Sequence, residues 1–109
     1  MFKPIIAKKA FEDMDNIWAY TIKTWSIEQA DKYYNLIFDR IDFIGEFPMT
    51  GKDCSSIKTN LRCSVLESHL IFYQYIKEEN YLEIIRILHQ SADIKSVFLI
   101  WYAENVVSP

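Results

Sequence analysis

The sequence predicts an α+β domain in which an N-terminal strand and an antiparallel helical hairpin pack on an antiparallel β-sheet, in the order β-α-α-β-β-β with a short C-terminal element. Three observations lead there. Residues 61–93, LRCSVLESHLIFYQYIKEENYLEIIRILHQSAD, hold three runs rich in Ile, Phe, Tyr and Val. The polar breaks between them are too short for helical crossovers, so the strands must pair antiparallel as a meander. Upstream, two successive stretches repeat apolar residues at helical spacing with almost nothing between them. Finally, 109 residues are enough for one core and too few for two, so residues 1–109 are expected to form a single domain.

Residues 2–7 are β-prone, and Pro4, which lacks a ladder N–H, belongs at a strand start or on a sheet edge. From about Lys8 the spacing of Phe11, Met14, Trp18, Ile22 and Trp25 predicts an amphipathic helix, with Glu12, Asp13, Asp15 and Lys23 off the stripe. Trp18 and Trp25 are expected to face the sheet, and Lys8 and Lys9 oppose the helix dipole, which weakens the first turn. Ser26 followed by Gln29 makes a capping box that starts a second helix at Ile27. Its apolar face is Ala30, Tyr33, Tyr34, Ile37, Ile41 and Ile44, and it should end near Gly45, before Pro48. With only Trp25 and Ser26 between them, the two helices form a hairpin.

Residues 47–59 read as a surface loop with Pro48, Gly51 and Asp53, leading into strands at 61–66, 69–77 and 81–89. The third strand is apolar on both faces, with Leu82, Ile84 and Leu88 on one side and Ile85 and Ile87 on the other. Such a sheet needs two covers. The helices supply one, and the C-terminal segment or a partner protein must supply the other. Asp93 is a suitable N-cap for a last element over 94–104, whose run 97–102 is apolar all round and therefore buried if helical.

Register decides which polar side chains meet. A two-residue turn at Glu67-Ser68 sets Leu66 opposite His69 and Arg62 opposite Tyr73. A second loop centred on Glu79-Asn80 adds Arg86 to give a row of Arg62, Tyr73 and Arg86. A loop of odd length replaces Arg86 by Ile85 and makes His69 and His89 neighbours. Glu78-Glu79-Asn80 permits either.

A formal net charge of -3 and a pI near 5.3 remove the long-range attraction that draws basic proteins to nucleic acid, so direct nucleic-acid binding is not expected. There is no Gly-rich phosphate loop, metal-ligand spacing or G-x-S-x-G motif, and neither a cofactor nor a metal is expected. Cys54 and Cys63 lack C-x-x-C or zinc spacing and read as reduced thiols. The N-terminus has no apolar signal-peptide core, and the longest apolar run, 97–103, is far short of the ~20 residues of a membrane span. These features predict a soluble, cytoplasmic protein with no membrane partner. The residues left to carry chemistry are Arg62, Arg86, His69, His89, Tyr73, Lys52 and Lys58. Arg62 and Arg86 interrupt apolar strands, so each either pairs with an acid from a helix or joins a small basic face for a phosphate or carboxylate. His69 and His89 could serve as general bases but have no visible nucleophile, and Tyr73 and Tyr75 suit packing.

Ile17-Trp18-Ala19-Tyr20, Trp25-Ser26 with Gln29-Ala30 and Tyr33, Pro48 and Gly51, Leu61-Arg62, His69-Leu70-Ile71-Phe72-Tyr73, and Ile85-Arg86-Ile87-Leu88-His89 with Asp93 together resemble the ParE toxins of type II toxin-antitoxin modules, in the wider ParE/RelE superfamily. The chain differs from that pattern in having Gly51-Lys52 for the usual Gly-Arg and Ser91-Ala92-Asp93 for the usual Arg-Met-Asp. The resemblance implies a cognate antitoxin that wraps and neutralises the chain, and DNA gyrase as the target. RelE-like relatives instead cut messenger RNA on the ribosome, which requires a dense Lys/Arg cluster to stabilise a phosphorane. Two sheet arginines and a low pI lean toward gyrase inhibition without catalysis. The alternatives are a ribosome-dependent mRNA endonuclease, with Arg62, Arg86 and His89 as its catalytic residues, or an inactive relative. For a binding role the expected residues are Arg62, Tyr73, Arg86, His69 and His89.

Overall fold

The helical hairpin turns at Ser26, whose Oγ accepts the Gln29 N–H at 3.1 Å and so satisfies one of the orphan donors at the start of the second helix. The computed structural model describes residues 3–105. In it helix α1 spans Lys8–Thr24 and helix α2 spans Ile27–Glu46. Helix α2 buries the predicted Ala30, Ile37, Ile41 and Ile44.

Helix α1 departs from the predicted stripe. It buries the predicted Met14 together with Ala10, while Phe11 is 41% and Trp25 75% exposed. Trp18 turns along the hairpin and donates its indole N–H to Asp31 of α2 at 3.0 Å, because a half-buried Trp needs an acceptor that the sheet face lacks. Lys8 and Lys9 do not prevent the first turn. The chain entering it is pinned to the sheet by Ala7 N–H to Ile84 O at 2.9 Å, and Ala7 O accepts the Phe11 N–H.

Strand β1, Ile5–Ile6, lies on the edge of the sheet and runs parallel to the last strand; the rest of the predicted segment includes Phe2, which lies outside the described residues. The loop after α2 contributes a two-residue strand β2, Lys52–Asp53. The meander follows as β3 (Leu61–Leu66), β4 (His69–Ile76) and β5 (Tyr81–His89). The sheet is mixed, in the order β1-β5-β4-β3-β2.

The β3–β4 register is the predicted one, with Leu66 opposite His69 and Arg62 opposite Tyr73. Glu67 in the turn takes φ 53°. The β4–β5 register is neither predicted alternative throughout. A short 3-10 turn at Lys77–Glu79 ends on left-handed Asn80 and sets Ile76 opposite Tyr81 and Tyr73 opposite Ile84. A β-bulge between Phe72 and Tyr73 then shifts the pairing, so that Phe72 faces Arg86 and His69 faces His89. The extra residue is Ile85, and the bulge turns Ile85 and Arg86 to the same side.

The bulge corrects two expectations. The row of Arg62, Tyr73 and Arg86 does not form, because Tyr73 and Arg62 share the helix side while Arg86 shares the side of Phe72. The two faces of β5 are also redistributed: Leu82, Ile84 and Ile87 pack toward α1 and α2, and Ile85 and Leu88 pack away from them.

The second cover comes from the C-terminal segment. Helix α3, Ile94–Asn105, starts at Asp93, whose carboxylate accepts the Ser96 N–H and hydroxyl. Its Phe98, 4% exposed, meets Phe72 edge-on at 5.0 Å between centroids, over a cluster that includes Leu61, Cys63, Ile85 and Leu88. Lys58 sits 4.5 Å over the ring of Trp101 and ties the preceding loop to α3. The run is not buried all round, since Leu99 and Ile100 remain exposed on the outer side.

Candidate functional site

Three polar clusters occupy the sheet. The first is built on Tyr73, which the core buries completely. Its hydroxyl donates to Pro48 O at 2.7 Å and accepts the Gly51 N–H at 2.9 Å. Burial pushes this hydroxyl's pKa up, against the opposing pull of the Gly51 N–H and of Arg62, so it stays a neutral donor. Arg62 donates to Gly51 O at 2.6 Å and more weakly to Met49 O at 3.4 Å. Gly51 has no alternative here, because a Cβ at that position would overlap the Tyr73 ring and hydroxyl. Arg62 and Tyr73 thus fix the loop between α2 and β2. Lys52 lies exposed at its end, and Lys58 is committed to Trp101.

The second cluster is Asp13 with Arg86. Arg86 donates Nε to Oδ2 at 2.8 Å and Nη2 to Oδ1 at 2.9 Å, a bidentate pair with side chains 20% and 12% exposed. The hydrogen bond to Asp13 holds the guanidinium above its usual pKa. Asp13 Oδ2 also accepts the Ile87 N–H at 2.9 Å. Strand β1 is too short to reach this part of β5, so the carboxylate caps an edge that would otherwise present a free donor. At the opposite edge Arg40 donates to Ser64 Oγ at 3.0 Å and Val65 O at 2.6 Å.

The third cluster lies in a groove of about 670 Å³ between the α1–α2 corner and the ends of β4 and β5, with Tyr20, Trp25 and Tyr33 on one wall and His69, His89 and Ser91 on the other. The Tyr33 hydroxyl sits 2.7 Å from His69 Nδ1 and 3.1 Å from Leu66 O. His69 and His89 stand perpendicular with centroids 5.4 Å apart. His89 Nδ1 accepts the Ser91 N–H at 3.1 Å and lies 2.7 Å from Ser91 Oγ, which leaves Nε2 as the protonated nitrogen of the neutral ring.

Burial, and then the neighbouring His89, lower the pKa of His69 below its ordinary value of 6.5. The unfolded chain therefore binds this proton first as pH falls. Stability from neutral His69 is complete above about pH 6.5 and declines as pH drops through the folded value. The difference in stability between pH 7 and about pH 5 should accordingly be smaller in His69→Gln than in the wild type, measured by urea unfolding at both pH values. An equal loss in both proteins would contradict the assignment.

Of the residues singled out in the sequence, the fold joins Arg62 to Tyr73 and His69 to His89, and places Arg86 apart from both pairs. Sequence reasoning missed Asp13, Tyr33, Arg40 and the steric role of Gly51. Asp13 has a detectable signal, since an arginine between isoleucines in a strand requires a carboxylate from a neighbouring element. Tyr33 gives none beyond its place on the apolar face. Among the described residues no three of His, Cys, Asp and Glu come together to hold a metal. Nor is any described helix long and apolar enough to cross a membrane.

The hairpin, the mixed sheet and the groove at their junction define a small α+β domain of β-α-α-β-β-β-β order, the first strand after the hairpin being only two residues long, with an extra C-terminal helix. The family model described as "ParE toxin of type II toxin-antitoxin system, parDE" matches residues 5–94, and the chain belongs to that family. Toxin ParE1 of Caulobacter vibrioides is 32% identical over 91 residues, covering 84% of this chain and 92% of that protein. Toxin ParE1 of Mycobacterium tuberculosis (strain H37Rv) is 28% identical over 90 residues, covering 83% and 91%. In the solved structure of the chromosomal ParDE TA system from P. aeruginosa, one chain matches with a TM-score of 0.70 at 20% identity, covering 82% of this chain and 96% of that one, a likeness of fold. Family membership makes this chain the toxin of a type II pair and carries with it a cognate antitoxin as partner. Helix α3 lies almost wholly beyond the matched residues.

Proposed function

We propose that this toxin acts in the cytoplasm by binding and inhibiting DNA gyrase, and that its antitoxin neutralises it by masking that activity. The observation that most supports a protein-binding inhibitor over a nuclease is the state of the arginines. The chain has three, and Arg40, Arg62 and Arg86 all donate to its own acceptors. Arg62 and Arg86 also point to opposite faces, so they do not converge with His89 on one scissile phosphate. Cleavage of RNA needs free cationic donors at the developing phosphorane, and the overall charge of -3 works against a polyanionic substrate.

In this reading Arg62, Tyr73 and Arg86 serve binding indirectly, by fixing the loop and the edge of the sheet. His69 and His89, on the open groove, are the members of the set within a partner's reach. The endonuclease reading keeps one point in its favour, the Tyr33–His69–His89 cluster, which sets a hydroxyl and two imidazoles, groups able to carry a proton, side by side.

Expression without antitoxin should produce filamentous cells with a DNA-damage response, while cell-free translation continues in the presence of the purified chain. Codon-specific cleavage of ribosome-bound messenger RNA would overturn the proposal. Absence of both phenotypes would identify an inactive relative.

A further inference from the structure

The short edge strand β2 brings the chain's two cysteines together. Lys52 pairs with Cys63 and Asp53 with Arg62, and the Cys54 N–H donates to Leu61 O at 2.8 Å, which carries the ladder one residue further. Cys54 therefore stands opposite Leu61 and diagonal to Cys63 on the face of the sheet that α3 covers. Both belong to the same apolar cluster, Cys63 at 7% exposure and Cys54 half-buried. The two thiols are near enough for each to shift the other's titration. Nothing in the gyrase reading uses either of them.

We propose that Cys54 and Cys63 form a modification site, closing into a reversible internal disulfide that fastens β2 to β3. Cys54 is the attacking thiol, because it is the more accessible of the two; Lys52 and Arg62 favour its thiolate and the adjacent Asp53 opposes it. With hydrogen peroxide as oxidant, the Cys54 thiolate attacks a peroxide oxygen. The O–O bond breaks, and Cys54 becomes a sulfenic acid as one water leaves. The Cys63 sulfur then attacks the Cys54 sulfur, the S–O bond breaks and a second water departs. Two thiols lose two electrons in all, and one hydrogen peroxide becomes two waters. A dithiol reductant reverses the step by exchange.

Burial pushes the Cys54 thiol up and the Cys63 thiol to about 12, with Lys52 opposing both shifts. Reaction should therefore be slow at neutral pH and speed up markedly as pH rises, since the thiolate is the nucleophile. The closed ring spans few residues, and its effect on the unfolded chain should raise the thermal midpoint by about 10 °C.

The test exposes the reduced full chain to hydrogen peroxide at pH 7 and pH 9, then reads intact mass, free thiols, peptide maps and thermal midpoint. Expected are a monomer lighter by the two thiol hydrogens, a Cys54–Cys63 linked peptide, faster formation at pH 9 and a raised midpoint. Reductant should reverse all of these, and neither Cys54→Ser nor Cys63→Ser should show them. The proposal is overturned if both thiols survive prolonged peroxide at pH 9, if the disulfide joins two chains, or if Cys54 passes to sulfinic acid with Cys63 intact. A linked peptide with an unchanged midpoint would refute the fastening of β2.

Discussion

Replacing Asp13 by Ala should lower the stability of the fold by about 3 kcal/mol, the low end for breaking a buried ion pair. The carboxylate makes three bonds, two to Arg86 and one to the Ile87 N–H, and Ala offers none. The loss would leave a guanidinium only 20% exposed without its partner and a backbone donor unpaired on the edge of β5. Arg86→Ala should cost less, about 1–2 kcal/mol, because Asp13 keeps the Ile87 N–H and the arginine's own desolvation is relieved. The double variant should fall well short of the summed losses, as expected for two partners in one contact. Urea unfolding of the three variants measures all of this. Additive losses would mean that the two side chains act separately.

Gly51→Ala should be as damaging, at roughly 3 kcal/mol, through overpacking combined with lost hydrogen bonds. The added methyl would overlap the Tyr73 hydroxyl and ring edge, and that ring is fully buried with no room to retreat. Moving it breaks the bonds to Pro48 O and Gly51 N–H, which hold the loop that Arg62 also grips. Tyr73→Phe alone should cost about 1–2 kcal/mol by leaving those two backbone groups unpaired. In that background the alanine meets the ring edge but no hydroxyl, so Gly51→Ala should cost less than in the wild type. An unchanged cost would show that the strain does not come from the Tyr73 hydroxyl.

The parts of the fold that could be read from the sequence are those whose signals are local. Ser26 and Gln29 mark the hairpin because a cap needs only its own turn, and Glu67-Ser68 fixes the β3–β4 register because a two-residue loop leaves no slack. The β4–β5 register was beyond reach for a physical reason. Ile84, Ile85 and Ile87 are interchangeable in volume and β-preference, so nothing in Ile84-Ile85-Arg86-Ile87 says which residue is the extra one. That single bulge separates Arg86 from Tyr73 and brings His69 to His89.

Trp25 misled for a related reason. Helical spacing counts it with the core, but it closes the last turn of α1 at the corner of the hairpin, where the chain faces solvent and one wall of the groove. Asp13 was hidden in the other way. Periodicity gives an acid off the apolar stripe to the surface, and its partner Arg86 is 73 residues away. The need for a partner was legible at Arg86; its identity depended on the tertiary packing of α1 against β5. The second cover of the sheet was legible as a requirement of the two-sided β5, and α3 meets it through Phe98.

The proposed action of this toxin is to disable gyrase by protein contact. Its most direct test is supercoiling of relaxed plasmid by purified gyrase, with increasing amounts of the purified chain and with intact messenger RNA and ribosomes assayed in parallel. Supercoiling should be lost as the chain is added and restored by the cognate antitoxin, and the messenger should stay full length throughout. Undiminished supercoiling together with cleaved ribosome-bound messenger would contradict it.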